Sequence, residues 1–240
     1  MNFRNRCYLE EAMDDPERTV GELSRVFDDL NRTNQLLGGQ YITLRAVKKL
    51  LARFPGRLYR IVDMGCGDGD LLRRLAVQCR RDGIEAVFLG IDGSPKALEI
   101  ATQRSADFPE IRYEQASLPD LGGREFPCEI LLCTLTLHHF NETEAPLVLD
   151  RFRRMASLGI IINDLQRNRI AYYLFQVFSR IFIKTKIAKE DGLISIRRGF
   201  SKKELLELSL GIPNFHHRIR WRWVFRYLWV MQAKANPLHE

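Results

Sequence analysis

"IVDMGCGDGDLL", Ile61 to Leu72, holds three glycines at alternate positions between an apolar run and a second run that resumes with Leu71-Leu72. This order predicts a strand, a tight turn and a helix. Such a turn needs one or two glycines, so three point to a backbone kept bare for a ligand. A dinucleotide fingerprint would read G-x-G-x-x-G, and the place of its third glycine is taken by Asp70. A phosphate loop would end in Gly-Lys-Ser/Thr, which is absent. Asp63, Asp68 and Asp70 set three carboxylates around the turn. They disfavour a pyrophosphate and suit a neutral or cationic ligand.

Outward from the turn, apolar strands alternate with amphipathic helices. Tyr59 to Met64 is the predicted first strand and Leu71 to Gln78 the first helix after it. Val87 to Ile91 forms the second strand and runs into Asp92, where a carboxylate can accept both hydroxyls of a ribose. Ser94-Pro95 then opens a helix, with serine as N-cap and proline at its first position. Further strands are predicted at Ile111 to Tyr113, Glu129 to Thr134 and Leu158 to Ile162, with a helix over Glu144 to Met155. Alternation of this kind predicts a parallel sheet covered by helices on both faces.

The flanks differ. Leu23, Val26, Phe27, Leu30 and then Leu44, Val47, Leu50, Leu51 recur at helical spacing, so residues 1–55 are expected to form a helical cap. Residues 56–240 form the α/β domain, with an insertion at about 164–200 expected to serve as a lid. Within it Arg169 to Lys184 is an aromatic-rich helix, followed by a basic, irregular stretch to Phe200. Ser201-Lys202-Lys203-Glu204 has capping-box spacing and starts the last helix. Phe215 to Ile219 and Val224 to Met231 are two strands joined at Trp221-Arg222-Trp223, a connection short enough to imply an antiparallel pair.

Composition narrows the function classes. Formal net charge is +7, enough to suggest an anionic partner and too little to require one. The cysteines, Cys7, Cys66, Cys79, Cys128 and Cys133, are odd in number and form no CxxC pair, so neither a metal site nor a disulfide framework is expected. The reducing cytoplasm is the expected compartment. The N-terminal MNFRNRCYLEEAMDD carries acids where a signal peptide needs an apolar core. No apolar run reaches the roughly 20 residues needed to span a bilayer. The nearest, Ile170 to Ile183, is broken by Gln176, Ser179 and Arg180, which leaves peripheral membrane contact open.

These motifs together resemble the class I S-adenosylmethionine-dependent methyltransferases, closely over Tyr59 to Ile162 and in layout beyond. "VDMGCGDG" resembles the family's first motif, which implies donor contacts from Asp63, Gly65, Cys66, Gly67 and Gly69. "GIDGSPKALEIA" resembles the second, with Asp92 in the ribose-binding place and Gly93 and Ser94 beside it. In "IRYEQASLPDL" Ser117 stands where an adenine-binding Asp is common, and Leu118 adjoins it. "TLTLHHF", from Thr134, resembles the stretch that lies beside the methyl donor. The implied fold is a Rossmann-like, seven-stranded, mostly parallel sheet with one antiparallel strand, and the implied cofactor is S-adenosyl-L-methionine.

The acceptor is less legible. His138 and His139 follow the fourth strand at the sheet's carboxyl edge, where ligands bind, and either can act as a general base, His139 by preference. Asn163-Asp164 ends the fifth strand at the same edge, and Asp164 is the next candidate base. A [DNS]-P-P-[YF] tetrapeptide, expected of a base-amino methyltransferase, is replaced by Thr134-Leu135-Thr136-Leu137. Cys128 precedes its strand, on the wrong side for a cytosine nucleophile. Nucleic acid therefore comes second, and a noncatalytic donor-binding regulator third. The aromatic helix and the "NDL" strand end resemble methyltransferases of quinols, phenols and polyketide-derived rings. The expected partner is a lipophilic aromatic small molecule methylated at oxygen, in an apolar cavity closed by the aromatic helix and by Leu30 to Gly39.

Overall fold

Strand β1 (Tyr59–Met64) lies inside a seven-stranded sheet in the order β3-β2-β1-β4-β5-β7-β6, next to the central strand β4. The computed structural model describes residues 2–118 and 120–234. Pro119 of the third motif, and the outermost ends of the two expected regions, Met1 and 235–240, lie outside the described residues. Strands β2 (Ala86–Asp92), β3 (Ile111–Gln115), β4 (Cys128–Thr134) and β5 (Ala156–Leu165) run parallel to β1. β7 (Arg226–Ala233) inserts antiparallel between β5 and β6 (Phe215–Arg222), so one strand of the seven is reversed, as expected.

Alternation along each strand assigns its side chains to two cores. Ile61, Ile130, Leu132 and Ile161 face α2 (Gly39–Leu51) and α3 (Asp70–Asp82). Val62, Leu131, Cys133, Ile160 and Ile162 face α5 (Glu144–Met155) and α8 (Lys202–Leu210) through Leu149, Phe152 and Leu205. A third cluster packs Leu23 and Phe27 of α1 (Val20–Leu36) on Ala97 and Ile100 of α4 (Pro95–Arg104). The strand order reverses between β1 and β4, which opens a crevice at their carboxyl ends.

Two expectations change. The stretch after the aromatic helix α6 (Arg169–Phe182) is another helix, α7 (Lys186–Arg198), with Thr185 accepting from the Ala188 amide at its N-cap. Gly192 in its middle and the polar residues Asp191 and Arg198 on its buried side hid it from a hydrophobic-period reading. That glycine lets the Phe175 ring of α6 sit directly on the α7 backbone. The hairpin also turns later than expected: Trp221 and Arg222 belong to β6, and the connection is Trp223-Val224-Phe225.

Candidate functional site

The turn after β1 is fastened to β2, because the Gly65 and Cys66 amides both donate to the Ile91 carbonyl, at 2.8 and 3.0 Å. Gly65, Gly67 and Gly69 take left-handed φ angles of 75°, 53° and 76°, which side-chain-bearing residues adopt rarely. Space is restricted too. A Cβ at Gly65 would enter Thr136, and one at Gly67 would lie 2.9 Å from the Phe27 ring. Asp92 accepts from the Gly67 amide on one oxygen and from the Ser94 amide on the other, both at 2.9 Å. Each oxygen keeps a further lone pair, so the carboxylate can still receive two hydroxyls. Gly93 faces Ser117, whose Cα is 3.9 Å from the place of a glycine Cβ, and the Ser117 hydroxyl is turned onto the Leu118 carbonyl. The Cys66 thiol is buried with its pKa pushed up by that burial, so only its backbone is available to a ligand.

Asp63 is fully enclosed, and its Oδ1 has no hydrogen-bond partner. Burial, reinforced by the nearby Asp92, raises its pKa to about 7. An unpartnered buried carboxylate beside a bare turn fits an amino-acid head group that brings an ammonium. Asp68 and Asp70 do not share this role, contrary to the three-carboxylate expectation. Asp68 is buried against Arg104 at 2.7 Å and Arg73 at 3.3 Å and accepts from Asn31. Asp70 pairs with Arg74 at 2.8 Å and with Gln40. These two acids are spent on fixing α1, α2 and α4 to the turn, which leaves Asp63 and Asp92 for the ligand.

Across the crevice, β4 ends at Thr134, and the Thr136 hydroxyl donates to the Gly65 carbonyl at 3.3 Å. The next turn carries the two histidines, and the structure separates their roles. His138 is 2% exposed. Its Nδ1 lies 2.7 Å from Asp164, which also accepts the His138 and Leu165 amides. Its Nε2 faces Glu11 at 3.5 Å. Burial opposes the imidazolium, but Asp164 and then Glu11 outweigh it and raise His138 to about 9. Burial likewise opposes the Glu11 charge, and His138 outweighs it, lowering Glu11 to about 2. His139 is half-buried, with Nε2 3.8 Å from Glu11 and Nδ1 3.4 Å from Asp14. Burial raises the pKa of Asp92, and the Ser94 and Gly67 amides that hold its charge work against that rise.

Glu11 was not a sequence candidate, and no local signal marks it. It arrives on an N-terminal strap laid across α7. The Arg6 side chain donates to the His138 carbonyl at 2.7 Å, the Arg198 side chain to the His139 carbonyl at 2.8 Å, and the Ala12 and Met13 amides to Asp191. The ligand atoms of Glu11, His138 and His139 converge within 4.8 Å, as a metal site would require. Asn163 is not an acceptor contact: its amide donates to the Gly39 carbonyl and the Thr43 hydroxyl, both at 2.9 Å, and anchors α2.

The charges at this cluster set a pH window for the strap. The His138 contribution is complete below its ordinary pKa of 6.5 and is lost as pH rises through about 9. The Glu11 contribution is complete above 4.5 and is lost as pH falls through about 2. Amide exchange over residues 3–14 should accelerate near pH 9 beyond its intrinsic rise, and Glu11→Gln should abolish that step. An unchanged step in the variant would detach the strap from this pair.

The aromatic helix α6 packs against α1. Phe175, Phe178 and Ile183 pack directly onto Val26 and Leu30, while Ile170, Leu174, Val177 and Ile181 face outward and are exposed.

Residues 61–159 match the family model described as a methyltransferase domain. No curated protein matches the chain in sequence. Among solved structures, the magnesium protoporphyrin IX methyltransferase of Synechocystis PCC 6803 with bound SAH is 16% identical with a TM-score of 0.59, covering 87% of this chain and 94% of its own. The plantazolicin methyltransferase BpumL with SAH is 13% identical with a TM-score of 0.64, covering 92% of this chain and 98% of its own. The CurJ carbon methyltransferase is 12% identical with a TM-score of 0.60, covering 82% of this chain and 54% of its own. The fold is thus the Rossmann-like one of class I methyltransferases. Within that fold, residues 61–159 form a methyltransferase domain of the S-adenosylmethionine-dependent kind.

Proposed function

We propose that the chain transfers a methyl group to the oxygen of a lipophilic phenolic or quinol-type small molecule, with His139 as general base. The observation that carries this reading is the half-open His139 just past the end of β4, facing the carboxylates of Glu11 and Asp14. S-adenosylmethionine supplies an activated sulfonium methyl when bound. Asp92 would take the ribose hydroxyls, Asp63 the ammonium, and the glycine turn and Ser117 the remainder of the donor. His139 would accept the phenol proton as the oxygen–methyl bond forms and the sulfur–methyl bond breaks, leaving S-adenosylhomocysteine. A phenol with pKa near ~10 needs such a base at neutral pH. Alignment of oxygen, methyl and sulfur is worth roughly 7–11 kcal/mol of barrier. His138, fixed between Asp164 and Glu11, orients the turn that carries His139.

Two of the similar structures are methyltransferases of magnesium protoporphyrin IX and of plantazolicin, which supports a small-molecule acceptor. The strap and α7 lie over the same edge, which supports a compact acceptor over a polynucleotide. Turnover should be screened over phenols, quinols and RNA with mass detection of products. A methyl ether from a phenol or quinol is the expected product. Methylated RNA or a carbon-methylated ring would replace this reading, and tight donor binding with no turnover on any substrate would favour a regulatory protein.

A further inference from the structure

The outward face of α6 takes no part in the site described above and has no partner among the described residues. At 100° per residue, Ile170, Tyr173, Leu174, Val177 and Ile181 fall within an arc of about 100°. All five are exposed, Ile170 by 62%, Val177 by 58% and Ile181 by 70%. The opposite face is committed to α1 and α7 through Phe175, Phe178 and Tyr172. The helix is therefore apolar on both sides, and only one side is explained by the core. Tyr172 and Phe225 belong to one cluster, which joins α6 to the tip of the β6–β7 hairpin. That tip carries Trp223, 67% exposed, and the exposed Trp221, each about one ring's contact from Phe225.

Charge selects the occupant. From Leu165 to Lys189 the chain has six lysines and arginines and no acid, and from Leu208 to Lys234 it again has no acid. Arg169 and Arg180 border the apolar arc, and Lys184 stands at its end. Arg218, Arg220 and Arg222 lie along the hairpin. None of these six has an ion-pair partner among the described residues. Tryptophans, an apolar strip and unpaired cations side by side match the interface of an anionic bilayer, where rings and stems enter the boundary and charges meet the head groups. A second copy seated symmetrically on this face would set cations against cations. The 14 residues of α6 reach about 21 Å, too short to cross the hydrocarbon core, so the helix would lie in the plane. We infer that the outer face of α6 and the hairpin tip dock this enzyme peripherally on an anionic lipid surface.

The test is co-sedimentation of the full chain with vesicles of phosphatidylcholine alone and with about one third phosphatidylglycerol added. Binding to the anionic vesicles only, weakened by high salt, is expected. Val177→Asp with Ile181→Asp, both surface changes verified by an unaltered melting curve, should lower the bound fraction about ten-fold. Arg169→Glu with Arg180→Glu should act in the same direction. The inference is overturned if the wild type binds neither vesicle or both equally, or if the aspartate variant binds like wild type. It is equally overturned if size exclusion shows a dimer that the aspartate variant splits.

Discussion

Replacing His139 by alanine is expected to lower turnover by about 10²–10⁴-fold while donor affinity stays near that of the wild type. The imidazole is half-open just past the end of β4, and its two nitrogens face Glu11 and Asp14. Those carboxylates can hold the imidazolium that forms when the acceptor proton arrives. His138→Ala has a different expected signature. It removes the cation between two buried carboxylates and should destabilise the fold by about 3–5 kcal/mol, visible in melting before any kinetic effect is read. The comparison separates the base from the residue that positions it. Steady-state rates of folded His139→Ala over a pH series, with calorimetric donor affinity alongside, decide the assignment. Near-wild-type rates throughout would transfer the role to another group, and Asp164 is too deeply enclosed to take it without movement of the strap.

What could be foreseen from the chain was what is written locally. The β1 turn and the acid ending β2 announce themselves because a ligand-binding backbone needs glycine at particular neighbouring positions. The reversed last strand followed from the brevity of one connection. Glu11 was invisible for the opposite reason: it meets His138 across most of the chain, and nothing in LEEAMDD separates a buried acid from a solvated one. α7 was missed because its inner side buries Asp191 and Arg198, whose partners are the strap's amides and the histidine turn's carbonyls rather than apolar side chains. Asp68 and Asp70 misled for a related reason. Their charges count toward a ligand only if no cation answers them: Arg73 and Arg74 do so from the next turn of the same helix, a local pairing left unused, while Arg104, Asn31 and Gln40 come from helices whose placement the turn sequence does not contain. The outward half of α6 resisted interpretation because apolar periodicity records burial without naming what does the burying.

Asp92→Ala is expected to weaken S-adenosylhomocysteine binding by roughly 1.5–3 kcal/mol, the range for hydrogen bonds to a charged group. That corresponds to about 10- to 150-fold in affinity. Two losses combine in this variant, since the carboxylate also holds the Gly67 and Ser94 amides and so shapes the turn the donor must enter. Asp92→Asn separates them. Its carbonyl can keep one of the two amides while its NH2 group, a donor, faces a ribose hydroxyl that also needs an acceptor. If the charge on the ribose hydroxyls dominates, both variants lose similar affinity. If the turn dominates, asparagine should recover most of it. Calorimetry on both, with melting curves to verify folding, reads the difference directly. Wild-type affinity in a folded Asp92→Ala protein would mean that the donor is not held at the end of β2, and the placement of every other donor contact, from Asp63 to Ser117, would fall with it.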